Sequence, residues 1–299
     1  MIEQVLTGAV AGGTCIVFAG LGEIVAERSG VINLGTEGSM LCGALTAYAV
    51  GIETGNPWIG VVAGLLAGMA LAAVFAAMVL LRKANQIAMG LVVSFLGIGI
   101  TALFGQDYVG QGVVPLETWD VPGLSKLPFL GPILFQHDPL TYLSFLAVPA
   151  LTWVIWRTRA GLILRAAGEG PEVLEIYGTS ATRVRWVAVL FGGAMAGIGG
   201  AQLSTAATLN WSEQMTVGRG YVAVALVIFA GWVPWKLMAG AYLFSGAIAL
   251  NLYLQAQGSD ISQYVLQSLP YVLVLVVLAL LSRRRIHGGP AALEAVFES

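Results

Sequence analysis

Residues 57–81 form the sequence PWIGVVAGLLAGMALAAVFAAMVLL, which has no charged side chain and is followed at once by Arg82 and Lys83. About 20 predominantly apolar residues in a helix cross the hydrocarbon core of a bilayer, so this run predicts a membrane-spanning helix. Comparable runs lie at 4–22, 31–50, 87–104, 139–157, 186–207, 220–235, 237–256 and 264–281. We therefore predict an all-α, polytopic membrane protein of about nine transmembrane helices. The runs 220–235 and 237–256 are the least distinct as separate spans.

The composition of the whole chain supports a lipid environment. Of its 299 residues, 58% are hydrophobic and 10% are charged, whereas soluble domains carry about 25% charged residues. So few charges cannot cover the surface of a soluble globule of this size. The net charge of −2 argues against a strongly basic, nucleic-acid-binding protein. The two cysteines, Cys15 and Cys42, lie inside apolar runs and are too few for a disulfide scaffold.

The positions of the cations predict how the chain is oriented. Short cytoplasmic loops are enriched in Lys and Arg. With the N-terminus outside, all but Lys126 and Arg219 of the 14 Lys and Arg residues fall on the cytoplasmic side. We therefore expect an external N-terminus and a cytoplasmic C-terminus. A single transmembrane domain would occupy 1–299, with an extracytoplasmic loop at 105–138 and a cytoplasmic loop at 158–185.

Motifs for catalysis and for ATP hydrolysis are absent from the sequence. No lysine follows a glycine, so there is no GxxxxGK[ST] phosphate loop. The two histidines, His137 and His287, form no metal-binding or nucleophile motif. Only Glu23 and Glu37 fall in or beside the apolar runs, too few for a proton relay. We expect no catalytic residue, metal or cofactor in this chain, and an energy source in another protein. A stand-alone secondary transporter or facilitator, and a membrane scaffold without transport, are the alternatives.

A polar segment separates the first two apolar runs. If the second run is helical from residue 31, then Asn33, Thr36 and Glu37 share one helix face. Glu37 would then lie about 9 Å along the span, where a carboxylate is costly unless it faces the bundle interior or a wet cavity. These residues either line a translocation path or brace the turn at Gly30 through backbone hydrogen bonds. In the first case Glu37→Gln should reduce transport with assembly intact, and in the second it should disturb assembly.

The loop at 158–185 contains a second distinctive segment. Pro171 suits the first position of a helix and Gly178 suits its left-handed end. The predicted docking segment consists of Pro171, Glu172, Val173, Leu174, Glu175, Ile176, Tyr177 and Gly178. Its apolar face is formed by Val173, Ile176 and Tyr177. A helix this short is marginal alone and needs a partner surface. It either docks on a cytoplasmic subunit or lies back on its own bundle or the lipid headgroups.

Pairs of glycines four residues apart predict close helix packing. These pairs are Gly8 and Gly12, Gly64 and Gly68, and Gly193 and Gly197.

Two motifs carry a resemblance to a known family. Residues 22–38 are GEIVAERSGVINLGTEG, and RAAGEGP at 165–171 precedes Gly178, Arg183 and a glycine-rich span that ends at Ala201. In this order they resemble the permease subunits of ABC importers in the branched-chain amino acid and simple-sugar permease family. The first motif is most similar to nucleoside and simple-sugar permeases that work with basic-membrane-protein-type binding proteins. Thr36 stands where an aliphatic residue is usual, and Gly170 stands where Asn is usual before Pro171.

The resemblance implies a set of partners in the cell membrane. Two permease chains, identical or related, would sit on two ABC ATPase subunits that bind ATP and Mg²⁺. They would receive substrate from an extracytoplasmic binding protein. The docking segment matches the position of the family's coupling helix. The acidic loop at 105–138 would either contact the binding protein or lie at the membrane interface. Nucleosides, purines, simple sugars and branched-chain amino acids are all compatible substrates.

Overall fold

The computed structural model describes residues 2–258, 262, 264–266, 268–273 and 289–293, and this part of the chain is predominantly helical. Its α-helices are α1 (Ile2–Arg28), α2 (Thr36–Thr54), α3 (Pro57–Ala76), α4 (Gln86–Phe104), α5 (Leu130–Leu134), α6 (Pro139–Arg157), α7 (Arg159–Glu169), α8 (Pro171–Ile176), α9 (Ala181–Gln202), α10 (Arg219–Phe229) and α11 (Pro234–Ala256). α3 and α9 continue as single π-helical turns, Ala77–Leu81 and Leu203–Ala207. A 3-10 turn, Gln106–Tyr108, and the antiparallel pair β1 (Trp119–Asp120) and β2 (Gln136–His137) lie between α4 and α6.

Six helices of the described residues are long and apolar enough to cross a membrane. They are Ile2–Arg28, Pro57–Leu81, Gln86–Phe104, Pro139–Arg157, Ala181–Ala207 and Pro234–Ala256. The chain is therefore a multi-pass membrane protein. The predicted runs 31–50 and 220–235 form α2 and α10, which are not among the six. Part of the predicted run 264–281 lies outside the described residues, as do Arg283 to Arg285.

α1 is the central helix of the bundle. Its residues from Gly13 to Arg28 are all buried, and it packs against α9, α10 and α11. A helix that is apolar on all sides is expected in such a central position. α2, α3 and α9 pack closely together beside it, and α4 packs on the outer side of α2. α3, α4, α6 and α11 each leave large apolar side chains exposed, as helices that contact lipid do.

The glycine pairs of α3 and α9 pack directly against each other. A Cβ on Gly68 would lie 2.4 Å from the carbonyl oxygen of Gly193, and one on Gly197 would lie 2.3 Å from that of Gly64. The backbones could not approach so closely with larger residues. The prediction of close packing is confirmed for these two pairs. Gly8 also lies at a helix contact, because a Cβ there would be 3.1 Å from that of Ala249 on α11.

The connection at 158–185 contains two helices where the sequence predicted one. α7 begins after Thr158, whose hydroxyl accepts a hydrogen bond from the backbone nitrogen of Gly161 at 3.2 Å. α8 then occupies the predicted position, with Pro171 in its first turn and Gly178 at φ 75°. α7 was not predicted from the sequence because its apolar run is too short to span a membrane.

Candidate functional site

Glu23 on α1 holds the connection between α1 and α2. α1 does not end near Glu23, as the apolar run 4–22 suggested, but continues to Arg28. The carboxylate oxygen Oε1 of Glu23 accepts a hydrogen bond from the backbone nitrogen of Asn33 at 2.7 Å, and Oε2 accepts one from the Thr36 hydroxyl at 3.0 Å. Residues 31–35 are not helical, so their buried N–H groups need such partners. Glu23 therefore fixes where α2 begins.

Asn33 and Thr36 lie together but do not share a helix face. The chain turns at Gly30, whose φ of 90° is one that residues with a Cβ rarely adopt, and α2 begins only at Thr36. The Asn33 side-chain oxygen accepts a hydrogen bond from the backbone nitrogen of Gly35 at 2.9 Å. The Thr36 hydroxyl also contacts the Asn33 carbonyl at 2.7 Å. The predicted common helix face is thus wrong for Asn33, because turn geometry and not helical periodicity sets its direction.

Glu37 binds the beginning of α10. Its Oε1 accepts hydrogen bonds from the Thr216 hydroxyl at 2.6 Å and from the backbone nitrogen of Gly218 at 2.9 Å, and its Oε2 accepts one from the backbone nitrogen of Gly220 at 2.7 Å. The first N–H groups of a helix have no partner within it and carry a partial positive charge, so a carboxylate stabilises them. Gly220 allows the approach, since a Cβ there would lie 2.5 Å from the Glu37 Cα. The Glu37 side chain is 5% exposed.

The segment 208–232 crosses the bundle with only its second half helical. At one end Trp211 lies against Gly105, the residue after α4, where a Cβ would be 2.6 Å from the indole nitrogen. At the other end the Trp232 indole donates to the carboxylate of Glu27, in the last turn of α1, at 2.5 Å. The 11 residues of α10 are only about 16 Å long at 1.5 Å per residue, which is about half of the thickness of a hydrocarbon core.

The beginning of α10 lies near the middle of α4. Gly38, the neighbour of Glu37, packs against Val93 and Ser94, where a Cβ would be 2.9 Å from backbone atoms of both. These residues are close to the centre of Gln86–Phe104. From that level to the end of α4 near Trp211 is about 15 Å at 1.5 Å per residue. The unwound residues 208–218 therefore pass through roughly half of the bundle thickness.

Two non-helical segments, 31–35 and 208–218, lie inside the bundle. Within the described residues no group of three or more His, Cys, Asp and Glu side chains lies close enough to hold a metal ion. Non-helical backbone at membrane depth is tolerated where it is buried in protein or lines a wet cavity. Discontinuous helices of this kind form the substrate sites of many transporters. The buried carboxylates of Glu23 and Glu37 hold the two non-helical segments in position.

α8 presents an apolar face to its surroundings. Leu174 is 6% exposed and packs with Ala167 of α7 and Ala181 of α9. Ile176 and the following Tyr177 are 83% and 81% exposed. Val173, at the spacing that predicted a shared apolar face, is 52% exposed. Gly170 gives α8 no side-chain cap. A helix of six residues is thus anchored by one buried leucine, with its other apolar residues free to contact a further surface.

Arg185 on α9 joins the α7–α8 region to the end of α1. Its Nη2 donates to the carbonyl of Ala167 at 3.0 Å, and its Nε donates to the carbonyl of Ser29 at 3.0 Å. Gly168 packs against the same end of α1, where a Cβ would lie 2.4 Å from the Arg28 carbonyl oxygen. Four residues after Ser29, Asn33 is bound to Glu23. A continuous set of contacts therefore runs from α8 to the non-helical connection before α2.

Sequence reasoning missed Glu23, Arg185 and residues 208–218 as parts of one site. Glu23 was visible only as an acidic residue at the end of an apolar run, and Arg185 only as one of several loop cations. The polar residues Asn210, Ser212, Glu213 and Gln214 between two apolar runs were the available signal for the unwound segment.

Comparison with known proteins gives a consistent set of relatives. The family described as branched-chain amino acid transport system / permease component matches residues 5–281. TsgC13 of Haloferax volcanii, provisionally named a glucose ABC transporter permease, is 42% identical over 255 residues, covering 84% of this chain and 78% of the relative. The nucleoside ABC transporter permease NupC of Lactococcus lactis is 31% identical, covering 89% and 88%. The guanosine ABC transporter permease NupQ of Bacillus subtilis is 27% identical, covering 88% and 87%. No solved structure matches the chain.

Proposed function

The chain belongs to the branched-chain amino acid transport system permease family and is a permease subunit of an ABC transporter, and from this premise we propose that it imports a nucleoside or a simple sugar. The names of its relatives support this substrate class, since two are named for nucleosides or guanosine and one for glucose. Both kinds of solute are small and rich in hydroxyl groups, and they need a polar route through the bilayer. Identifying the ligand held by the cognate binding protein would decide between them.

ATP hydrolysis is proposed to take place in separate subunits that dock on α8. The observation that carries this proposal is the exposed apolar face of Ile176 and Tyr177 on a helix that Leu174 anchors. Exposed large apolar residues in a polar loop are typical of a surface that another protein covers. The coupling segment Pro171 to Gly178 is thus our proposed contact with an ABC ATPase, which would bind ATP and Mg²⁺.

The solute is proposed to cross between this chain and a second permease, identical or homologous, after delivery by an extracytoplasmic binding protein. Asn33, Thr36 and Glu37 are the proposed path residues. In the present conformation the chain itself buries all three. We therefore assign them a positioning role, in which they fix the non-helical segments beside the path. Their hydrogen bonds to Glu23 and to the start of α10 support this role.

The proposed topology has nine crossings, with the N-terminus outside and the C-terminus in the cytoplasm. α2 supplies the second crossing, and the discontinuous segment 208–232 supplies the seventh. The loop at 105–138 is then extracytoplasmic and available to the binding protein, and the loop at 158–185 is cytoplasmic. The distribution of Lys and Arg supports this orientation.

A pair of aspartate substitutions on α8 tests the docking proposal. The double variant Ile176→Asp with Tyr177→Asp should leave the amount of membrane-inserted chain unchanged, because both side chains are exposed. It should abolish co-purification of the ATPase subunits, because two carboxylates would have to be buried in the contact. Thr182→Asp, an exposed position at the start of α9, adds a charge in the same loop and serves as the control. Normal co-purification and uptake in the double variant would show that α8 is not the docking surface.

A further inference from the structure

The unwound segment 208–218 has buried residues on one side and a cluster of exposed polar residues on the other. Trp211, Met215 and Thr216 are buried against the bundle. Ser212, Glu213 and Gln214 are exposed on the other side. Within the described residues these three side chains make no hydrogen bond, and the Thr216 hydroxyl is already bound to Glu37. Leu209 and Val217 of the segment are also exposed, so Ser212, Glu213 and Gln214 form an unpartnered polar cluster within the exposed side, which the buried residues attach to the bundle.

This part of the segment is poorly suited to contact lipid hydrocarbon. It lies between the level of Trp211, at the end of α4, and the level of Glu37, near the middle of α4. A carboxylate such as that of Glu213 costs about 2.5–3.5 kcal/mol when a helix carries it to the centre of a bilayer. An exposed non-helical backbone in lipid adds several kcal/mol for each unpaired polar group. Water or another protein is therefore the favoured neighbour of Ser212, Glu213 and Gln214.

The backbone of the same segment is held in conformations that side chains rarely adopt. Gln214 has φ 54° and Val217 has φ 46°, in the left-handed region that β-branched residues avoid. The backbone nitrogen of Val217 donates to the Gln214 carbonyl at 2.9 Å, and that of Met215 donates to the Ser212 carbonyl at 3.2 Å. Two tight turns thus turn the three polar side chains outward. Such strain persists only where the surrounding structure enforces it, here through Glu37 and the buried Trp211.

Resting on the proposed function, we propose that Ser212, Glu213 and Gln214 form a solute-binding face in the outer half of the passage between this chain and its permease partner. The chemistry suits a polyhydroxylated solute. The Glu213 carboxylate accepts hydrogen bonds from hydroxyl groups, the Ser212 hydroxyl both donates and accepts, and the Gln214 amide does the same through separate atoms. These are the groups that a ribose or hexose ring offers and requires. α10 then begins at the inner end of this face.

Cysteine labelling tests the proposal, and the protein is suited to it because its own cysteines, Cys15 and Cys42, are buried. Ser212→Cys and Gln214→Cys would be made in the complete complex of permeases, ATPase and binding protein in liposomes. The reagent is a charged, membrane-impermeant methanethiosulfonate. Phe95→Cys, on the exposed apolar side of α4, and Gln257→Cys, at the exposed turn after α11, are the controls. Guanosine, uridine and glucose are first tested for uptake by the wild-type complex. The solute that this complex accumulates is then used as the probe in the labelling experiment.

We expect both test cysteines to react with the reagent. Solute under turnover should slow their labelling roughly tenfold, because saturating solute that occupies about nine sites in ten leaves about one cysteine in ten accessible. Gln257→Cys should react without protection, and Phe95→Cys should not react. Test cysteines that fail to react, or that react equally with and without solute, would overturn the proposal. If a cysteine variant fails to assemble, Glu213→Cys takes its place under the same criteria. Failure of the proposed function would appear separately, as a wild-type complex without ATP-driven uptake of any probe.

Discussion

Removal of the Glu37 carboxylate should destabilise the whole bundle, because that side chain holds the beginning of α10. Its three hydrogen bonds come from the Thr216 hydroxyl and from the backbone nitrogens of Gly218 and Gly220, at 2.6–2.9 Å. Hydrogen bonds to a charged group each contribute about 1.5–3 kcal/mol. In Glu37→Ala, the backbone N–H groups of Gly218 and Gly220 lose their partner and the start of α10 loses a compensating charge. The three contributions are not additive, and we expect a total loss of about 4 kcal/mol.

Glu37→Gln should have about half of this effect. Glutamine keeps one side-chain acceptor, but its amide group is a donor and would face a backbone N–H in place of the second carboxylate oxygen. We expect a loss of about 2 kcal/mol. At roughly 2 °C per kcal/mol for a chain of this size, the unfolding midpoint should fall by about 4 °C in Glu37→Gln and about 8 °C in Glu37→Ala. Glu117→Gln, an exposed carboxylate in the 105–138 loop, should leave the midpoint unchanged.

The assay is thermal unfolding of the purified permease in detergent, followed by intrinsic tryptophan fluorescence, with uptake measured on the same preparations. Uptake by Glu37→Gln should fall in parallel, since displacement of α10 disturbs the proposed passage. A midpoint for Glu37→Ala within about 1 °C of the wild type would refute the reasoning, because three charge-assisted hydrogen bonds, two of them buried, cannot be lost at so small a cost. A large fall in uptake with an unchanged midpoint would instead favour direct contact between Glu37 and the solute.

Two further predictions concern the packing and the connection of the helices. Gly193→Ala would bring a Cβ to 2.2 Å from that of Ala72, so it should force α3 and α9 apart and destabilise the bundle by about 1–3 kcal/mol. Gly99→Ala is the control, because no atom lies within 4 Å of a Cβ at that position. Equal unfolding midpoints for the two variants would contradict the packing account. Arg185→Gln should leave ATPase co-purification intact while lowering the ratio of solute transported to ATP hydrolysed by roughly tenfold, because the two hydrogen bonds that join α7 and α9 to the end of α1 are lost. Arg183→Ala, at an exposed arginine two residues away, should leave that ratio unchanged, and an unchanged ratio in Arg185→Gln would refute the link.

The membrane-spanning helices could be predicted from the sequence because hydropathy acts locally. A run such as 57–81 can only be a buried or lipid-facing helix, and α3 with its π-helical turn ends at Leu81 as that run does. The bounds of α8 could also be predicted, because Pro171 favours the start of a helix and Gly178 favours its end through their own backbone conformations. The helix that packs on Gly64 and Gly68 could not be predicted, because glycine spacing indicates close packing but does not identify the second helix.

The polar contacts of the candidate site could not be predicted in this way. Glu37 and Thr216 are 179 residues apart in sequence, and no periodicity connects them. The run 220–235 looked like one short span because Ala230 to Val233 are nearly all apolar, yet Trp232 has φ 56° and Pro234 begins a new helix. The run 31–50 looked helical from its start, but the bonds to Glu23 delay α2 until Thr36. In each case a distant side chain decides the local backbone.

The central claim is that this chain imports a polar solute with energy from ATP hydrolysed in partner subunits. Its most direct test is uptake of radiolabelled guanosine, uridine and glucose into liposomes that contain the permeases, with the ATPase and ATP inside and the binding protein outside. We predict that accumulation of one of these solutes stops when ATP is omitted and continues when an ionophore collapses the proton gradient. Accumulation that persists without ATP and is abolished by the ionophore would contradict the claim.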